Sequence, residues 1–105
     1  MPVDTIDLLI LKTLRLEALH GYGIGQRIEQ VSGGVFRITL GALYPALQRL
    51  ERTGLVKASW SVSDNNRRAR YYALSPAGRR RLVASQKSWE RHVAAMARVL
   101  HADAE

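Results

Sequence analysis

Along residues 5–19 the apolar positions Ile6, Leu9, Ile10 and Leu14 recur at threes and fours, and Leu8 and Leu11 widen the stripe. That period predicts a helix, and an apolar surface on more than one side predicts cover from two directions. HGYG (20–23) interrupts it. A shorter helix is expected through IGQRIEQV, stopping at Ser32-Gly33-Gly34, because glycine accepts the left-handed conformation that ends helices. VFRI (35–38) is long enough only for a strand fragment. Thr39 can then cap a third helix with its hydroxyl. Leu40, Leu43, Leu47 and Leu50 form that helix's stripe, and Gly54 ends it. Pro45 removes a backbone donor in the second turn, which predicts a bend or a tight first turn.

The period then changes from about 3.6 to two. Val56, Ala58, Trp60 and Val62 alternate with Lys57, Ser59 and Ser61. SDNN supplies turn residues, and RYYAL returns with Tyr72 and Leu74 on one face. This is a β-hairpin. Tyr71 and Tyr72 must point to opposite sides of it, Tyr72 inward and Tyr71 partly exposed. Ser75-Pro76 is a helix start, serine as cap and proline in the first turn. A long helix is expected from there to about Ala102, roughly 40 Å at 1.5 Å per residue. Its seam is Leu82, Trp89, Val93, Met96 and Leu100, with Gln86 at the one polar position.

Three helices followed by a hairpin make a winged helix-turn-helix, in which the third helix reads a DNA groove. The fold class expected is α+β, mostly helical, with a long C-terminal dimerisation helix. Residues 1–75 form the winged-helix part. Residues 76–105 form the dimerisation helix, one compact unit with the first helix. A chain of 105 residues suits one domain.

Charge sharpens this picture. The net charge is +7, yet residues 37–81 alone hold ten basic and two acidic side chains, for +8, and the remainder sums to −1. All the excess sits in one contiguous segment, which favours a polyanionic partner over general solubility. The chain has no cysteine, so disulfides and thiolate metal sites are excluded, in keeping with a reducing cytosol. The first apolar run is broken by Lys12 and Arg15, so neither a signal peptide nor a membrane span is expected.

The candidate site residues follow from these elements. Opposite the leucine stripe of the third helix lie Gly41, Ala42, Pro45, Gln48, Arg49 and Arg52. Gly41 and Ala42 are small enough for close approach to a groove wall, and Thr39 with the first helix amides can meet a phosphate. Gln48 can pair with an adenine edge; Arg49 and Arg52 can reach guanine or phosphate. Tyr44 sits at the edge of the stripe, either with its hydroxyl toward the phosphate backbone or simply in the core. Arg67, Arg68 and Arg70 cluster at the hairpin tip and return strand, where a wing touches phosphates. Arg79, Arg80 and Arg81 oppose the helix macrodipole and are secondary charges.

The seam of the last helix has no evident partner in so short a chain. With the two-faced first helix it points to a symmetric homodimer through Leu8, Leu11, Leu82, Trp89, Val93, Met96 and Leu100. Two recognition helices about one turn of DNA apart would read a palindromic operator. Trp89 is either seam filler or a stacking surface for a small aromatic effector. His20, His92 and His101 have no partners at ligand spacing, and no nucleophile–base pair or phosphate-binding glycine loop occurs, so no metal, cofactor or enzymatic activity is expected.

Taken together, DLLILKTL, HGYGIGQRI, LGALYPALQRLERTGLV and NNRRARYYALSPAGRRRL resemble the PadR family of bacterial transcriptional regulators in its short form. The resemblance spans nearly the whole chain and implies a cytoplasmic, nucleoid-associated homodimer, usually a repressor, whose C-terminal helices pack on the partner's first helix. By motif position it makes Tyr44, Pro45 and the polar face through Arg49 DNA-facing, and Arg67, Arg68 and Arg70 the wing contacts. In some relatives a ligand enters between the dimer's helices and relieves repression; Trp89 is the corresponding position here. Gly23 departs from the pattern, since relatives often carry a larger residue after HGY. The short C-terminal region leaves room for no separate effector domain. A protein–protein adaptor and a non-specific nucleic-acid binder are the competing classes.

Overall fold

The computed structural model describes residues 5–103. Its elements, in chain order, are α1 (Thr5–Thr13), β1 (Leu19–His20), α2 (Gly21–Val31), α3 (Leu40–Arg52), β2 (Val56–Val62), β3 (Arg68–Leu74) and α4 (Pro76–Leu100). The three strands form one antiparallel sheet in the order β1-β3-β2. This is the α+β, winged helix-turn-helix arrangement that the sequence predicts.

The helix ends follow local chemistry. Thr39 caps α3 by accepting from the Ala42 amide at 3.2 Å, and Ser75 caps α4 by accepting from Gly78 at 3.0 Å. Gly33, Gly34 and Gly54 take φ of 66°, 83° and 79°, so they close α2 and α3 where a side chain would be strained. Helix α3 runs uninterrupted through Pro45.

Three expectations are corrected. The first helix stops at Thr13 instead of running to residue 19. Thr13 donates its hydroxyl back to Leu9 O at 2.7 Å, and the last turn tightens to an Arg15-to-Lys12 bond. The chain then pairs Leu19 with Tyr72 and His20 with Tyr71, capturing the edge of β3 as an unforeseen strand. Helix α2 begins at Gly21 within HGYG, because the His20 ring caps it by accepting from the Gly23 amide at 2.9 Å. Residues 35–38 form a loop, not a strand fragment; Val35 and Phe36 are exposed, and Phe36 N–H bonds Ser32 Oγ.

The core joins Ile10, Leu11 and Leu14 of the first helical segment to Ile24 and Ile28 of α2. Leu43, Ala46, Leu47 and Leu50 of α3, Leu55 just after it, Val56 and Tyr72 of the sheet, and Leu82 of α4 complete it. Leu40, placed on the α3 stripe by spacing, is 42% exposed. Helix α1 is indeed covered on more than one side, but by α2, α3 and α4 of its own chain. Leu11 and Leu82 are therefore core residues of this subunit, at 0% and 3% exposure, and not the intersubunit contacts that their spacing suggested. Leu8 is half-buried against the same core.

Helix α4 has two parts. Its start is locked in: a Cβ at Gly78 would lie 2.1 Å from Leu55 O, so only glycine fits there. Gly78, Leu82 and Ser85 are its buried residues. Beyond Ser85 the helix leaves the body. The radius of gyration is 15.7 Å, against ~13 Å for a compact domain of this length, and the long axis is 62 Å.

Candidate nucleic-acid interface

At about 100° per residue, Gly41, Tyr44, Pro45, Gln48 and Arg52 fall on one stripe of α3, opposite the buried leucines. All five are exposed, as is Ala42 on the flank. Thr39, also exposed, stands at the amino end. Tyr44 is 42% exposed, and its ring lies over the start of α2, where a Cβ on Gly21 would meet Tyr44 Cε1 at 2.8 Å. Tyr44 is therefore not a core residue, and its hydroxyl as well as its ring lies against Gly21.

Arg49 is the exception. It sits on the flank toward α1 and donates to Asp7 Oδ1 at 2.7 Å. An arginine expected on the open face beside Gln48 keeps 44% of its side chain exposed and also braces α1 to α3.

In the wing, β2 and β3 pair from Val56↔Leu74 to Val62↔Arg68, and Asn66 in the connecting turn takes φ of 61°. Cross-strand partners share a face, so Val56, Ala58, Trp60 and Val62 lie on the same side as Arg68, Arg70, Tyr72 and Leu74. The inner end of that face is core. Burial pushes the Tyr72 phenol above its ordinary pKa, with the nearby Arg70 charge working against it. The outer end is open: Trp60 is 56% and Val62 60% exposed. Arg68 and Arg70 lie over the Trp60 ring at 4.9 and 5.7 Å from its centroid, and Arg70 donates to Glu51 of α3 at 2.7 Å.

The wing, the start of α2 and α3 enclose a cleft of about 750 Å³ lined by Tyr22, Tyr44, Trp60, Arg67, Arg68 and Arg70 among others. Aromatic faces beside guanidiniums suit a partner with both phosphate and flat or apolar groups. Arg67, Arg68 and Arg70 thus come together with Tyr44. Trp60, Tyr22 and Glu51 also belong to this region and were not singled out from sequence. The alternation of β2 already put Trp60 on one face with Val56, Ala58 and Val62; the hairpin register that seats it opposite Arg70 was the missing step.

The basic segment, contiguous in sequence, divides in space. Arg67, Arg68 and Arg70 line the wing cleft, whereas Arg49, Arg52 and Arg81 surround a smaller hollow beside Asp7. Lys57 points from the opposite face of the hairpin. On α4, Trp89 lies 5.5 Å from the ring of His92, and Val93, Met96 and Leu100 are 47%, 47% and 72% exposed.

Residues 10–84 match the model of the Transcriptional regulator PadR-like family. The chain is 40% identical over 91 residues to a 37.1 kDa protein of transposon Tn4556 from Streptomyces fradiae, covering 87% of this chain but only 25% of that protein. Among solved structures it is similar to a PadR family transcription regulator from Clostridium difficile R20291. That match has 28% identity and a TM-score of 0.79, and it covers 92% of this chain and 99% of the other. It also shares its fold with Bacillus subtilis PadR in complex with operator DNA, at 23% identity and a TM-score of 0.69, covering 79% of this chain and 47% of that one.

Proposed function

The chain belongs to the PadR-like family of transcriptional regulators, and we propose that it acts as a homodimeric, sequence-specific DNA-binding repressor. The observation that carries this reading is the wing cleft. Tyr44, on the exposed face of α3 that also carries Gln48 and Arg52, lines it together with Arg67, Arg68 and Arg70 of the hairpin. Helix α3 enters the major groove with Gly41, Ala42 and Pro45 close to the groove wall. Gln48 and Arg52 reach base edges or phosphates. Thr39 and the first amides of α3 meet a phosphate. The wing arginines follow the adjacent backbone. The fold it shares with an operator-bound relative supports this geometry.

Residues 1–75 supply the DNA-binding part and residues 76–105 the dimerisation helix. The open stripe of α4 seats against a second copy through Trp89, Val93, Met96 and Leu100, with Leu8 of α1 alongside. The two α3 helices then face a palindromic operator at about 34 Å spacing. The protein works in the cytoplasm on the nucleoid. A small planar effector stacks on Trp89 between the subunits and relieves repression.

Selection of bound sites from a random DNA pool tests the reading, because it returns a motif and its half-site spacing together. With four or five phosphate contacts per protomer, log affinity falls with log salt at a slope of about −0.9 per contact. A pool that yields no motif, or binding indifferent to salt, removes the proposal. For the effector, a planar apolar compound quenches Trp89 fluorescence as DNA is released, and a Trp89→Ala protein no longer responds.

A further inference from the structure

Glu51 is the one acidic residue of α3. A carboxylate next to a surface that meets a polyanion weakens the field there, so its place on this helix calls for a compensating role. The geometry supplies one. Glu51 Oε2 accepts from Arg70 Nη2 at 2.7 Å, with both side chains a little over one-third exposed. Arg70 is the cross-strand partner of Trp60 and lies over its ring, and Arg68 lies over the same ring from the next position on that face. A carboxylate, two guanidiniums and an indole therefore run without a break from the recognition helix to the middle of the wing.

The outer half of the wing needs such a tie. Two strands alone are marginal in water, and Trp60 and Val62 are more than half exposed where the hairpin stands off across the cleft. We propose that Glu51 is a positioning residue which, through Arg70 and Trp60, fixes the wing at one angle to α3 so that both reach the same duplex without a further ordering cost. This rests on the DNA-binding reading above.

The idea separates sharply from plain electrostatics. If Glu51 is only a negative charge, E51Q tightens DNA binding. If it positions the wing, E51Q weakens binding by about fivefold, the most that an exposed pair of this kind carries, although the surface gains one positive charge. With Arg70 replaced, Glu51 has nothing to hold and is only repulsive, so E51Q in an R70Q background tightens binding. The test is a double-mutant cycle of wild type, E51Q, R70Q and E51Q/R70Q. Each is titrated against a duplex carrying the selected motif after its melting curve has shown it folded. A parallel measurement without DNA follows the heteronuclear NOE of the Trp60 indole N–H, assigned with W60F. The expected result is opposite signs for E51Q in the two backgrounds, with a lower indole NOE in E51Q than in wild type. Tighter or unchanged binding for E51Q in both backgrounds overturns the proposal. If wild type binds no DNA, the DNA reading fails by itself, and the indole NOE still decides the tie: lowered by E51Q supports it, unchanged overturns it.

Discussion

In α3, Leu43, Leu47 and Leu50 are 0%, 0% and 3% exposed; in the outer turns of α4, Val93, Met96 and Leu100 recur at the same spacing and are 47%, 47% and 72% exposed. Both stripes obey one rule of helix geometry, that positions three and four apart share a face. What differs is the surroundings. Helix α3 is wrapped by α1, α2 and β2, whereas α4 outruns its own core after Ser85. A periodic stripe fixes the direction of an apolar face and says nothing about which chain covers it. For α3 the cover is internal. For α4 the same spacing leaves an apolar strip on a protein whose net charge already favours solubility, the type of surface that marks a contact with another molecule.

The contrast breaks most visibly under truncation. Leu47→Ala removes a side chain with no exposed surface and leaves a cavity among α1, α2 and α3. It should cost about 3 kcal/mol of unfolding free energy, read from denaturant midpoints and equal at every protein concentration. Met96→Glu should leave the folding of a single chain nearly untouched and instead weaken self-association by about a hundredfold, or ~2.7 kcal/mol. Sedimentation equilibrium reads that shift directly. Thermal midpoints supply a second check: those of the unaltered protein should rise with concentration and those of the variant should not. If Met96→Glu behaves like Leu47→Ala, the α4 strip is packed on its own chain in solution and the contrast collapses.

The same pair of helices explains how far the sequence could be read. The stripes, the glycine stops, the capping residues Thr39 and Ser75, and the hairpin were all legible, because each depends on residues within one turn or one strand pair. The inward placement of Tyr72 was legible for the same reason. The misjudged features depend on distant partners. Leu11 and Leu82 looked like intersubunit contacts because spacing cannot reveal that α1 and α4 bury each other. Leu19 was placed at the end of the first helix and His20 in the break after it, because their strand partner, β3, lies some fifty residues away. The ion pair of Arg49 was not foreseen because Asp7, its partner, is remote in sequence. Trp60 and Glu51 escaped notice for a related reason: their meaning lies in the register that brings Arg70 between them. Local rules located the faces, and tertiary pairing decided the tenants.

The smallest effect refines the comparison at the helix starts. Both caps are hydroxyls accepting from the amide three residues on, Thr39 from Ala42 and Ser75 from Gly78. Their surroundings are not alike. Thr39 is exposed, so water can replace the lost acceptor, and Thr39→Ala should cost about 0.5–1 kcal/mol. Ser75 is 4% exposed, and its hydroxyl also donates to Gly54 O at 2.7 Å, tying the cap of α4 to the end of α3. Ser75→Ala takes the donor from Gly54 O and leaves the buried Gly78 amide without its acceptor, where water has poor access. Its cost should approach about 2 kcal/mol. Parallel urea titrations of the two variants give the difference. Equal losses would mean that the Ser75 hydroxyl bond to Gly54 contributes nothing beyond capping, and that α4 is joined to the winged core by its apolar contacts and the Ser75 amide bond to Leu55 O.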